Sequence, residues 1–107
     1  MSKPLNTIYE FEFQDGSKTG MTLTFYALYQ LKTKNPMLYK KYNRIMSAMA
    51  KSESDELDSV LLLYVAYVCA HMDEAEVMSE EEFILKCGFD REAIGNAAKA
   101  LTTAKKR

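Results

Sequence analysis

The chain has 107 residues, 48% hydrophobic and 27% charged, with a formal net charge of −1. That size suits one domain with one modest core, and the composition excludes a disordered or fibrous protein. The small net charge hides a strong segregation: residues 32–52 carry Lys32, Lys34, Lys40, Lys41, Arg44 and Lys51 with no acid, whereas residues 53–92 hold twelve acids against Lys86 and Arg91. Opposite blocks can neutralise each other within one fold, or pair head to tail between copies.

Leu5–Gln14 alternates, with Leu5, Thr7, Tyr9, Phe11 and Phe13 on one side, and predicts a half-buried strand. Asp15-Gly16 signals a hairpin turn, and a second strand from about Ser17 to Leu23 closes a hairpin over residues 5–23. A first helix is expected from Thr22 or Thr24 to Lys34, with Phe25, Leu28, Tyr29 and Lys32 on its stripe. Asn35-Pro36 reads as an N-cap followed by proline at the first helical position, where its missing N–H costs nothing. The second helix then runs to about Ala50, with Leu38, Tyr42, Ile45 and Met49 in register. Lys51–Glu56 reads as a loop, with Asp55 capping a third helix.

That third helix, Leu57–Met72, is the most informative stretch. It has no charge after Asp58, and a helix that is apolar all round must be enclosed on both sides. Leu57, Leu61, Tyr64 and Val68 are expected to face the rest of the domain. Leu62, Val65, Cys69 and Met72, on the opposite side, must then be covered by more of this chain or by another chain; they are the candidate partner or self-association residues. An acidic connector, Asp73–Met78, leads to a capping box at Ser79-Glu80-Glu81-Glu82 and a short helix ending at Gly88. Phe83, Ile84 and Cys87 are its core residues. Asp90 caps a last helix with Ile94, Ala97, Ala98 and Leu101 on its apolar face. The expectation is a mainly α single domain, with an N-terminal β-hairpin, a helical part of four to five helices over 24–104, and a basic tail at 105–107.

Catalytic chemistry finds little footing. The single histidine, His71, lies near Cys69, Asp73 and Glu74, but positions 69 and 71 project about 200° apart on a helix, which does not suit metal ligation. A charged His71 at a helix C-terminus beside an acid is the simpler reading. There is no Gly-flanked serine, no Cys–His spacing and no phosphate loop, so the chain is read as a non-enzyme with no cofactor and no metal. Cys69 and Cys87 read as reduced small hydrophobes of a cytosolic protein. The apolar run is too short for a membrane span, and MSKPLNT lacks a secretory signal pattern. Lys32–Lys51, with Tyr39 and Tyr42, offers an alternative: a small helical regulator binding nucleic acid. The adjacent acidic block and a pI near 5.8 oppose it, and no nucleic acid is expected. Seven methionines, five of them in or beside helices, favour an adaptable binding module.

Taken in order, the hairpin into MTLTFYALYQLKTKNPMLYKKYNRIM, then LDSVLLLYVAYVCAHMDE, then the MSEEEF box resemble the tail assembly chaperones of long-tailed bacteriophages and prophages of Gram-positive bacteria. The resemblance covers Tyr9 to about Leu101 and is strongest over Leu23–Tyr42 and Leu57–Phe83. It implies a small, mostly helical protein of the bacterial host cytoplasm that is absent from the finished virion. Such a protein coats the hydrophobic tape-measure protein until tail-tube protein subunits polymerise and displace it. It also implies a homo-oligomer, and in many members a longer frameshifted form; Ala104–Lys106 is compatible with a slippery run of adenines.

Overall fold

The computed structural model describes residues 9–88 and 90–103. The chain runs β1 (Tyr9–Glu12), β2 (Lys18–Met21), α1 (Phe25–Lys34), α2 (Pro36–Ala50), α3 (Glu56–Ala70), α4 (Glu80–Cys87) and α5 (Arg91–Thr103). It is therefore a mainly helical protein in which an antiparallel hairpin precedes five helices. The expected strand residues before Tyr9 and the basic tail lie outside the described residues.

The hairpin pairs Tyr9 with Met21 and Glu12 with Lys18. Its loop is wider than a two-residue turn because Asp15 organises it. The Asp15 carboxylate accepts from the Ser17 amide at 2.9 Å and the Ser17 hydroxyl at 2.6 Å, and Gly16 takes φ +91. The second strand, Lys18–Met21, is shorter at both ends than the expected Ser17–Leu23. The alternating pattern places Phe11 and Phe13 in the core, where Phe13 meets Phe83 of α4 edge to face at 5.6 Å between ring centroids.

The helix ends follow local chemistry. Thr24, Asn35, Asp55 and Ser79 each accept from a backbone N–H with the side chain, and Asp55–Asp58 and Ser79–Glu82 complete capping boxes. Pro36 sits at the start of α2. The Asp90 carboxylate accepts from the Ala93 amide at 3.1 Å at the head of α5. Gly88 ends α4 with φ 64 and ψ −131, a backbone region that side chains avoid. A Cβ there would collide with the Gln14 side chain, so glycine also permits α4 to close on the hairpin loop. Lys86 secures the same junction, with Nζ 3.0 Å from Asp15 Oδ2 and 5.3 Å from the Phe13 ring centroid.

Helix α3 is the axis of the fold. It packs against β2, α1, α2, α4 and α5, which explains why it is apolar nearly all round. The enclosure comes from this chain itself. Around α3, Tyr67 stacks on Phe83 at 5.4 Å, and Tyr64 meets Phe83 at 5.5 Å. The two phenols also hold the connector: Tyr64 donates to the Met78 carbonyl at 2.9 Å, and Tyr67 accepts from the Met78 amide at 2.8 Å. Burial raises the Tyr64 phenol above its usual pKa, with the nearby Glu80 and Glu82 charges adding to the shift.

Candidate functional site

The four residues expected to form a contact face divide unequally. Leu62 and Val65 are fully buried, Cys69 is buried, and only Met72 is partly exposed. In this fold Leu62, Val65 and Cys69 are core, with Cys69 Sγ 3.9 Å from the Ala27 carbonyl of α1, so the expected contact face is corrected. The expected inner side of α3 holds only in part: Val68 is buried, whereas Leu57 is 52% exposed and Leu61 and Tyr64 are half-buried. A helix with apolar residues on every side carries no phase in its own sequence.

Among the described residues the large hydrophobics left exposed are Met37, Leu57, Val77 and Leu85, dispersed over four segments, and three aromatic residues together on α1. Its core side is supplied by Ala27, Leu28 and Leu31. Phe25, Tyr26 and Tyr29 are 84%, 64% and 67% exposed. At about 100° per residue these three rings share the arc opposite the buried side. The expected stripe of Phe25, Leu28 and Tyr29 is thus corrected in two of its three apolar members. The sequence offers two apolar stripes at helical spacing, Phe25, Leu28 and Tyr29 or Ala27, Leu28 and Leu31, and does not rank them.

Two features flank this face. Along one flank of α1, Tyr26 and Gln30 border a groove of ≈ 390 Å³ whose other lining includes Thr22, His71, Met72, Asp73 and Glu74. The Thr22 hydroxyl oxygen is buried there and has no hydrogen-bond partner among the described residues. Toward the end of α1, Lys32 and Lys34 occupy the last turn, both exposed, and the Lys32 ammonium lies 5.7 Å from the Tyr39 ring of α2. A second groove of ≈ 380 Å³, between α3, α4 and α5, is lined by Leu57, Val60, Ile84, Cys87 and Ile94. The exposed Glu56–Arg91 ion pair, 2.8 Å, also lines it.

The segregated charges meet across the fold. Lys41 of α2 pairs with Glu80 at 2.8 Å, and Arg44 reaches Asp58 at 3.5 Å. Tyr39 and Tyr42 stack on each other and are half-buried, and burial raises the Tyr42 phenol above its usual pKa. Part of the basic segment therefore closes the domain. Lys34, Lys40 and Lys51 remain exposed.

His71 is the C-cap of α3, with Nδ1 2.6 Å from Glu74 Oε2 and Nε2 2.9 Å from the Thr19 hydroxyl. It ties the connector to β2. Cys69 and Cys87 are free thiols, pushed by burial up to about 12 and about 11 respectively. Among the described residues, no group of three or more histidine, cysteine or acidic residues is placed to hold a metal ion, and no helix is long and apolar enough to cross a membrane. No protein-family model, curated protein or solved structure matches this chain.

Proposed function

We propose that this chain is a non-catalytic binding protein, a phage tail assembly chaperone that coats and solubilises the tape-measure protein during tail-tube assembly. The observation that carries the reading is the outward face of α1, where Phe25, Tyr26 and Tyr29 stand in solvent on a helix whose core side is already filled. Aromatic side chains left outside a core are ready anchors for another chain. They fall within Leu23–Tyr42, one of the two stretches where the resemblance to the chaperones is strongest.

The mechanism follows from the size of the patch. Three rings are far less than the roughly 800 Å² per partner of a stable interface, so each contact is weak. Many copies along one long partner add avidity while each remains displaceable. Displaceability is what competing tail-tube protein requires. On this reading the chaperone acts in the bacterial host cytoplasm as a homo-oligomer, uses no cofactor, and leaves before the virion is complete. The contact face moves from Leu62, Val65 and Cys69 to α1, with Met72 kept at its margin. The alternative, nucleic-acid binding through residues 32–51, draws less support, because Lys41 and Arg44 are engaged by acids and Tyr39 and Tyr42 are half-buried.

The test is co-expression with a tape-measure protein, followed by sizing of the soluble fraction. A large soluble complex containing many copies of this chain is the expected result. Insoluble tape measure, with this chain eluting alone, would overturn the proposal.

A further inference from the structure

We infer that the outer edge of β1 takes up an extended segment of a partner protein as a third strand, one in which lysine or arginine alternates with small apolar residues. The site lies between β1 and α5, not on α1, and it stands independently of the chaperone reading.

The register of the hairpin decides which main-chain groups face outward. Bonded and non-bonded pairs alternate along an antiparallel ladder. The Phe13 amide donates to the Ser17 carbonyl at 2.8 Å, which makes that pair a bonded one. Phe11–Thr19 and Tyr9–Met21 follow it as bonded pairs, and Glu10–Gly20 and Glu12–Lys18 are the non-bonded ones. The N–H and C=O groups of Glu10 and Glu12 therefore point away from β2. Among the described residues none of these groups has a hydrogen-bond partner. The other side of the hairpin is covered: β2 packs on α3, and the Thr22 amide just beyond it donates to the Ala66 carbonyl at 3.1 Å.

A groove of ≈ 630 Å³ runs along the open edge. Every residue from Tyr9 to Gln14 lines it. Successive strand side chains change faces, so a groove that touches all of them follows the edge and not one face. The opposite wall is Asp90, Ala93 and Asn96, spaced three apart at the head of α5. At about 3.3 Å per residue the lined stretch of β1 is about 20 Å long, which about six residues of an added strand would span.

Charge specifies what fits. Glu10, Glu12 and Asp90 line the groove, and no cation does. Lys18 stands across from Glu12 on β2, outside that lining. An added strand alternates its side chains in step with β1. Its residues beside the exposed Glu10 and Glu12 are matched by cations. Those between fall beside the buried Phe11 and Phe13, with Ala93 on the opposite wall, where small apolar groups fit. Pairing with β1 of a second copy would set Glu10 and Glu12 against the same carboxylates, so the edge opposes its own kind. Main-chain bonds supply the affinity of such strand addition, and the alternating side chains supply the selection.

The experiment titrates the full chain into fluorescent peptides of about eight residues, read by anisotropy. One alternates lysine with valine, and a second has glutamate in place of lysine. Two more are the lysine peptide N-methylated on one or the other alternate set of amides, each with one bonding edge blocked. The lysine peptide should bind at least about tenfold tighter than the glutamate peptide, with the gap narrowing in roughly 0.5 M salt. One N-methylated peptide should lose at least about tenfold while the other holds. Combined Glu10→Lys and Glu12→Lys should reverse the charge preference with an unchanged melting curve, since both side chains are exposed. In the free chain, amide exchange should be slow at Phe11 and Phe13 and fast at Glu10 and Glu12; bound lysine peptide should slow the last two at least about tenfold. Equal affinity for the lysine and glutamate peptides, equal affinity for the two N-methylated peptides, or unchanged exchange at Glu10 and Glu12 would each overturn the inference. So would slowing of those two amides by raised concentration of the chain alone, which would make a second copy the occupant.

Discussion

Leu62→Ala and Leu57→Ala apply the same chemical change to opposite sides of α3, and their comparison tests whether this chain encloses the helix by itself. Leu62 is fully buried, in a helix packed by β2, α1, α2, α4 and α5. Removing a fully buried leucine loses its transfer free energy and leaves a cavity, at a cost of about 3 kcal/mol within a range of roughly 2–5. At about 4–8 °C per kcal/mol for a domain near this size, the melting temperature should fall by roughly 12–24 °C. Leu57 is 52% exposed in the first turn of the same helix, so its truncation should cost under about 1 kcal/mol. Urea unfolding followed by far-UV circular dichroism measures both, repeated at several protein concentrations to separate folding from association. A loss under about 1 kcal/mol for Leu62→Ala, or a larger loss for Leu57→Ala, would refute the assigned phase of α3 and restore Leu62 to a contact face.

Gly88→Ala should destabilise by more than about 1 kcal/mol, because the substitution keeps a backbone angle that side chains avoid and places a methyl group on Gln14; adding Gln14→Ala should restore only part of the loss in the same urea assay. Ser79→Ala should cost about 1 kcal/mol by breaking the capping box of α4, which amide exchange at Glu82 and Phe83 would register. The Asp15 carboxyl is held well below the usual carboxylate range, first by its bonds to Ser17 and then by Lys86. Its contribution is present above the ordinary value of 3.8 and declines as acidification proceeds toward the depressed folded value, so the gap in melting temperature between wild type and Asp15→Asn should narrow below that pH. The buried thiols have the opposite sign. Stability is fully present below their ordinary value of 9.0 and falls as pH rises toward about 11 and 12, because only the unfolded chain ionises them freely. Ellman's reagent should therefore label neither thiol at neutral pH until the chain is unfolded.

The sequence determined the features whose physics is local. Cap residues act on amides two or three positions away, so Asn35-Pro36, Asp55 and the Ser79–Glu82 box marked helix starts correctly, and Gly88 marked a helix end. The alternation through Phe11 and Phe13 named the buried face of the hairpin, because side chains on a strand change sides at every residue. The amphipathic helices α2 and α5 announced their inner faces, with Ile45, Ile94, Ala97, Ala98 and Leu101 buried as expected.

Tertiary structure decided the phase of α3 and the outward face of α1, and the reason is the same at both. A helix shows its inner face only when polar residues mark the outer one. Between Leu57 and Met72 almost nothing is polar, so only the packing of five neighbouring elements put Leu62 inside and left Leu57 half in solvent. In α1 the aromatic rings matched the apolar pattern as well as the small residues did. Packing of α1 on α2 and α3 buried Ala27, Leu28 and Leu31 and left Phe25, Tyr26 and Tyr29 facing outward, on the surface where a partner is proposed to dock.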